Sequence, residues 1–221
     1  MIILDNARPT QRRISLSLYL AALFISTIIF ISGIYIGKMI EQASITGLSS
    51  GIDEVSADIN SIELLYLLEE DSPAFCPVYR DELSKLDIRT EELGSKISYL
   101  EEKRGVEDVE LKKKYFMLEA NTFLLSQKVR GTCGANYSTI LYFYSNKQCD
   151  DCAQQGEELS QLKKKLGENV RIYSFDGELG SAIVDALMMK YEVNSFPSIV
   201  INSNYTASGF KTQSWVEKNI D

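Results

Sequence analysis

The sequence predicts an α/β carboxy-terminal domain preceded by one transmembrane helix and an α-helical hairpin or coiled-coil region, on the strength of three observations. No charged residue occurs from Ile14 to Gly37. From Ile52 to Leu125, apolar residues recur at three- and four-residue spacing. From Ser138 onward, β-branched and aromatic runs alternate with helical patterns, and two cysteines stand at the first junction between them.

The uncharged stretch holds 24 residues. At about 1.5 Å rise each, it spans more than a ~30 Å hydrocarbon core. A cleaved signal peptide has a shorter apolar region, and Ala43-Ser44 offers the alternative of cleavage; an uncleaved signal anchor is expected. Arg8, Arg12 and Arg13 precede the span and Lys38 follows it, so residues 1–13 are expected in the cytoplasm. Everything after residue 37 then lies outside, on a single-pass protein of the cell membrane. Gly33 and Gly37 form a small-residue pair through which two such helices can dimerise.

Residues 38–132 read as a helical spacer or interaction region, itself a second route to a homodimer. Ile52, Val55, Ile59, Ile62 and Tyr66 draw one stripe, and Asp71-Ser72-Pro73 ends it. A second helix is expected from about Val78 to Lys103, weakened by Gly94, and a third from about Val106 to Val129 after the break at Gly105. Three stripes imply mutual packing. Glu101 to Arg104 and Lys112 to Lys114 read as solvated faces.

Residues 133–221 carry the motif. Thr139 to Tyr144 reads as a strand, Ser145 to Gln148 breaks it, and Leu159, Leu162 and Leu166 mark a helix that Gly167 stops. Cys149-Asp150-Asp151-Cys152 therefore sits at a strand-to-helix junction, where unpaired N–H groups and the helix dipole stabilise a thiolate. Two intervening residues let one sulfur attack a disulfide and the other resolve the mixed disulfide. Val170 to Phe175 is the next strand, Leu179 to Tyr191 a helix, Ser198 to Ile201 a strand opened by Pro197, and Thr212 to Ile220 a last helix with Trp215 expected in the core.

In this order of elements, with its Cys-x-x-Cys and its Phe196-Pro197-Ser198, the stretch from Ser138 to Ile220 resembles the thioredoxin superfamily. The resemblance implies a central mixed sheet flanked by helices and thiol–disulfide oxidoreductase activity. It also implies Cys149 as nucleophile, Cys152 as resolving thiol, a cis peptide bond at Pro197, and a glycine near the active surface at Gly209. Protein disulfides and a redox partner protein are the implied partners, and no cofactor is implied. The chain departs from the family pattern at Gln148, where thioredoxins usually have Trp, at Asp150-Asp151 instead of Gly-Pro, and at Phe143 instead of a buried Asp. The competing expectation is a non-catalytic binding module with structural disulfides.

If Cys149 pairs with Cys152, then Cys76 pairs with Cys133. Closing a loop of nearly sixty residues is worth about 4 kcal/mol on the chain-entropy relation, which favours a structural staple. A second redox pair and a four-cysteine zinc site are the alternatives, and the zinc site is disfavoured because only one close pair exists. Asp150 and Asp151 place negative charge beside Cys149, which opposes thiolate formation and predicts a reductant or isomerase rather than a strong oxidant.

Composition narrows the chemistry further. A formal net charge of −8 over 221 residues argues against nucleic acid. The absence of histidine from the sequence excludes Ser-His-Asp and Cys-His catalysis and every His-ligated metal.

Overall fold

The structure, a computed structural model, describes residues 16–68, 73–147 and 149–220. Residues 1–13 with their three arginines, Ile14, the Asp71-Ser72 stop and Gln148 lie outside the described residues. Packing divides the chain between Ser44 and Ile45.

Helix α1 runs Leu16–Leu68, so the predicted span and the stripe from Ile52 to Tyr66 belong to one continuous helix. No proline interrupts those residues. Up to Ile40 its large apolar side chains are exposed, and the helix is long and apolar enough to cross a membrane.

In the unit from Ile45 onward, α1 presents Leu48, Ile52, Val55, Ile59 and Ile62 to the core. Helix α2 (Cys76–Arg104) buries Tyr79, Leu83, Leu86, Leu93, Ile97 and Leu100 along one stripe and ends at Gly105, whose φ of 63° is the left-handed cap that glycine supplies without strain. Helix α3 (Val109–Cys133) starts at Asp108, whose carboxylate accepts a hydrogen bond from the Leu111 N–H at 2.9 Å. Gly94 admits α3: a β-carbon there would overlap the Tyr115 hydroxyl.

Strand β1 is Ser138–Tyr144, β2 Val170–Asp176, β3 Ser198–Ile201 and β4 Tyr205–Ser208. The sheet order is β2-β1-β3-β4, with β1 parallel to β2 and antiparallel to β3, and β3 antiparallel to β4. Helix α4 (Cys152–Leu166) connects β1 to β2, α5 (Ala182–Lys190) follows β2, and α6 (Gln213–Asn219) closes the chain. This is the mixed, helix-flanked sheet the resemblance implied. The buried core of β1 is apolar on both faces because helices cover both.

Ile140, Tyr142, Ile199 and Ile201 pack with Leu159 and Leu162 of α4 and Val216 of α6. Leu141, Phe143, Tyr173, Phe175 and Val200 join the other core, which also holds the apolar stripes of α1, α2 and α3. Phe116 meets Phe175 edge-on at 5.7 Å, and Phe123 meets Tyr173 at 5.6 Å. The helical region and the sheet thus share one core, and residue 133 marks a change of secondary structure rather than a gap in packing. Trp215 differs from its expected place. Val216 and Ile220 are buried, while Trp215, one position round the helix, is only partly covered and stacks on Tyr205 at 6.0 Å.

Candidate functional site

Cys149 and Cys152 are joined by a disulfide with 5.4 Å between their Cα atoms. The bond lies beyond the carboxyl ends of the parallel strands β1 and β2, where open α/β sheets present ligand sites. Cys152 is the first residue of α4 and is buried, whereas Cys149 lies in the preceding turn and is half-buried. Cys149 is therefore the more exposed residue of the pair. Asp150 and Asp151 precede α4; Asp151 is the N-cap residue and makes no side-chain cap hydrogen bond. Both are exposed.

Three contacts fix the motif. The Tyr142 hydroxyl donates to the Cys152 carbonyl at 2.6 Å, which ties the start of α4 to β1. Gln155, fully buried, donates to the Lys211 carbonyl at 3.1 Å and accepts from the Lys211 N–H at 2.7 Å. Lys147 donates its backbone N–H to the Ser145 hydroxyl and its ammonium to the Glu178 carbonyl, bracing the turn against the loop after β2. The Phe196–Pro197 peptide is cis, and the Pro197 carbonyl accepts from the Gly209 N–H at 2.8 Å.

Both cysteines line a cavity of about 1280 Å³ that runs between α2 and α4 along the β2 edge of the sheet. Pro197 does not line it. Neither Cys76 nor Cys133 lines it either: their disulfide joins the first residue of α2 to the last of α3 across 57 residues, with 5.5 Å between Cα atoms.

Two groups on the cavity wall escaped the sequence reading. Lys112, expected on a solvated face, has a side chain only 3% exposed; its ammonium lies 2.9 Å from Glu101 and 3.8 Å from Asp176. The correction has a simple cause, because the start of α3 packs over the end of β2 and Lys112 shares an inner face with Phe116, Glu119 and Phe123. Glu119 is the second. Its carboxyl accepts from the Tyr115 hydroxyl and from the backbone N–H of Ser174 at 3.0 Å, and burial pushes its pKa up to about 7. Periodicity from Phe116 and Phe123 was the available signal for both. Burial likewise raises the Tyr142 and Tyr144 hydroxyls and lowers Lys163.

The fold and site together define an α/β domain with a mixed four-stranded sheet, whose Cys-x-x-Cys disulfide opens onto a cavity partly walled by a helical pair. No family model and no curated protein matches the chain. Solved structures similar to it include one described as a malarial protein, 25% identical over 38% of this chain and 94% of its own, with a TM-score of 0.34. Chloroplastic thioredoxin z is 17% identical, covering 43% of this chain and 85% of its own, with a TM-score of 0.34. The germline-specific thioredoxin Deadhead of Drosophila melanogaster is 18% identical, covering 44% and 88%, with a TM-score of 0.31.

Proposed function

We propose that this chain is a membrane-tethered thiol–disulfide oxidoreductase acting on protein disulfides outside the cytoplasm. The observation that carries the proposal is the half-buried Cys149 joined to the buried Cys152 at the start of α4, both on the wall of one large cavity. In the reducing direction, the Cys149 thiolate attacks one sulfur of a substrate disulfide, and the other substrate sulfur leaves as a thiolate. Cys152, deprotonated, then attacks the Cys149 sulfur, the mixed disulfide breaks, and the second substrate thiolate departs. Two electrons pass from the Cys149/Cys152 dithiol to the substrate, and a redox partner protein resets the pair. Run backwards, the same steps oxidise a dithiol.

The accessible sulfur attacks and the covered one resolves, which keeps the resolving thiol from forming its own mixed disulfides. The apolar α1 segment supplies the tether, with its amino terminus in the cytoplasm. The test is alkylation mapping of native membranes equilibrated across a graded thiol–disulfide buffer. Reversible titration of Cys149–Cys152, with Cys76–Cys133 closed throughout, is the expected result. A Cys149–Cys152 bond that never cycles removes the catalytic role and leaves a binding module, the reading that Asp150-Asp151 and the non-tryptophan Gln148 favour.

A further inference from the structure

The two ends of the cavity differ in charge. Helices α2 and α4 form opposite walls, and β2 lies between them at the sheet edge. At the disulfide end stand Glu102, Glu107 and Glu157, and no ion pair engages them among the described residues; the exposed Asp150 and Asp151 adjoin. The cation on this wall, Lys112, is already matched by Glu101 and Asp176. At the far end Arg171 pairs with Asp87, the field of Glu91 reaches Lys163, and Lys164 adds a further ammonium, so no negative excess builds up there. An excess of negative charge therefore surrounds the cysteines and fades along the groove.

A second, independent feature concerns the backbone. Outward-facing groups of edge strand β2 are capped at two points: the Ser174 N–H donates to Glu119, and the Val170 carbonyl accepts from Lys163 at 3.0 Å. By strand alternation the N–H and C=O of Ile172 point the same way. Ile172 lies on the cavity wall, and no side chain or loop hydrogen-bonds its backbone among the described residues. An edge with free polar groups is a site for a further extended chain. Thr90 adds a buried hydroxyl on the same wall with no hydrogen-bond partner. The α2 wall from Asp87 to Glu102 is about 22 Å long at helical rise, which accommodates about seven residues of extended chain.

We infer that this groove receives the substrate as an extended polypeptide carrying lysine or arginine next to its disulfide, a specificity that rests on the exchange activity proposed above. The helical pair is then a substrate-selecting wall. Opposite charge steers encounter and holds the cationic flank near Cys149, and this preference weakens as salt rises.

The experiment uses the reduced full-length chain in detergent and three ten-residue peptides, each bearing one mixed disulfide with 2-mercaptoethanol. Lysines, serines or glutamates flank the cysteine, and 2-hydroxyethyl disulfide serves as a small substrate. At low salt the lysine peptide is expected to react about tenfold faster than the glutamate peptide, with the ratio shrinking in 0.5 M salt. In the E102Q/E107Q/E157Q variant the lysine-to-glutamate ratio is expected to fall to within about twofold. Backbone N-methylation of the lysine peptide, which removes strand hydrogen bonds, should slow it several-fold. Equal rates for lysine and glutamate peptides, with hydroxyethyl disulfide still reduced, overturn the groove and leave the oxidoreductase standing. A ratio unchanged in the triple variant also overturns it, assigning the selectivity to Asp150 and Asp151. Failure to reduce hydroxyethyl disulfide removes the oxidoreductase itself.

Discussion

The chain holds two disulfides of nearly equal span, 5.5 and 5.4 Å between Cα atoms, in surroundings that differ in almost every other respect. Cys76–Cys133 closes 57 residues and clamps the open end of the α2–α3 pair, and neither cysteine lines the cavity. Cys149–Cys152 closes three residues at a helix start and faces a cavity. Closure of the long loop removes denatured-state entropy worth about 4 kcal/mol, and closure of the short one about half that. Bond geometry is thus no guide to role. On the proposed function, loop length and what the sulfurs face set a closed Cys76–Cys133 bond apart from an exchanging Cys149–Cys152 bond.

The largest expected effect comes from removing Cys76–Cys133. Replacing both partners, C76A/C133A, should cost about 4 kcal/mol in urea unfolding of the full-length chain in detergent, while Cys149–Cys152 still titrates in a thiol–disulfide buffer. A loss under ~1 kcal/mol, or joint titration of the two pairs in the wild type, would make the first bond a second redox couple.

Next in size is a pH effect on α3, the helix that links the two sites. The folded-state pKa of Glu119 is raised to about 7 from an ordinary 4.5. Below 4.5 both states hold the proton. Between 4.5 and about 7 only the folded state does, so stability falls as pH rises through this window and levels above it, by about 3 kcal/mol at most. E119Q should flatten that slope in unfolding curves collected across the window. A slope that persists in the variant assigns it to another group.

A smaller cost is expected at the end of the sheet that carries Cys149–Cys152. Gly177 has no room for a β-carbon, because the Phe196 ring and the Met188 sulfur occupy its place. G177A should lower stability by about 1–3 kcal/mol without loosening Cys76–Cys133. A neutral result means that Phe196 turns aside freely.

The smallest effect sharpens the comparison at the level of one proton. D150N/D151N should lower the Cys149 pKa by about one unit or less, equivalent to roughly 1.4 kcal/mol, and make the pair more oxidising. Thiolate absorbance against pH reads it directly, and an unchanged or raised value sinks the electrostatic account.

Local patterns in the chain carried a good part of this. Leu159, Leu162 and Leu166 announced α4, the run Thr139 to Tyr144 announced β1, and the cysteine pair fell at their junction as expected. Helix stops at Gly105 and Gly167 were equally visible, since glycine's freedom at positive φ acts within one turn. The charged run from Lys112 to Lys114 misled, because charge normally means solvent and only contact with β2 shows that one of the three is enclosed. Trp215 misled in the opposite sense, since an adjacent valine took the core position.

By itself the sequence determined the apolar span, the three helical stripes, three of the four strands and the helices after Ser138, and the place of two cysteines at a helix start. All of these rest on interactions between residues a few positions apart. The tertiary structure alone decided that α1, α2 and α3 share a core with the sheet, that Lys112 and Glu119 are buried, and that a cavity between α2 and α4 opens onto the disulfide. Burial and cavities are sums over surfaces brought together from distant parts of the chain, and no local pattern contains both sides of such a contact.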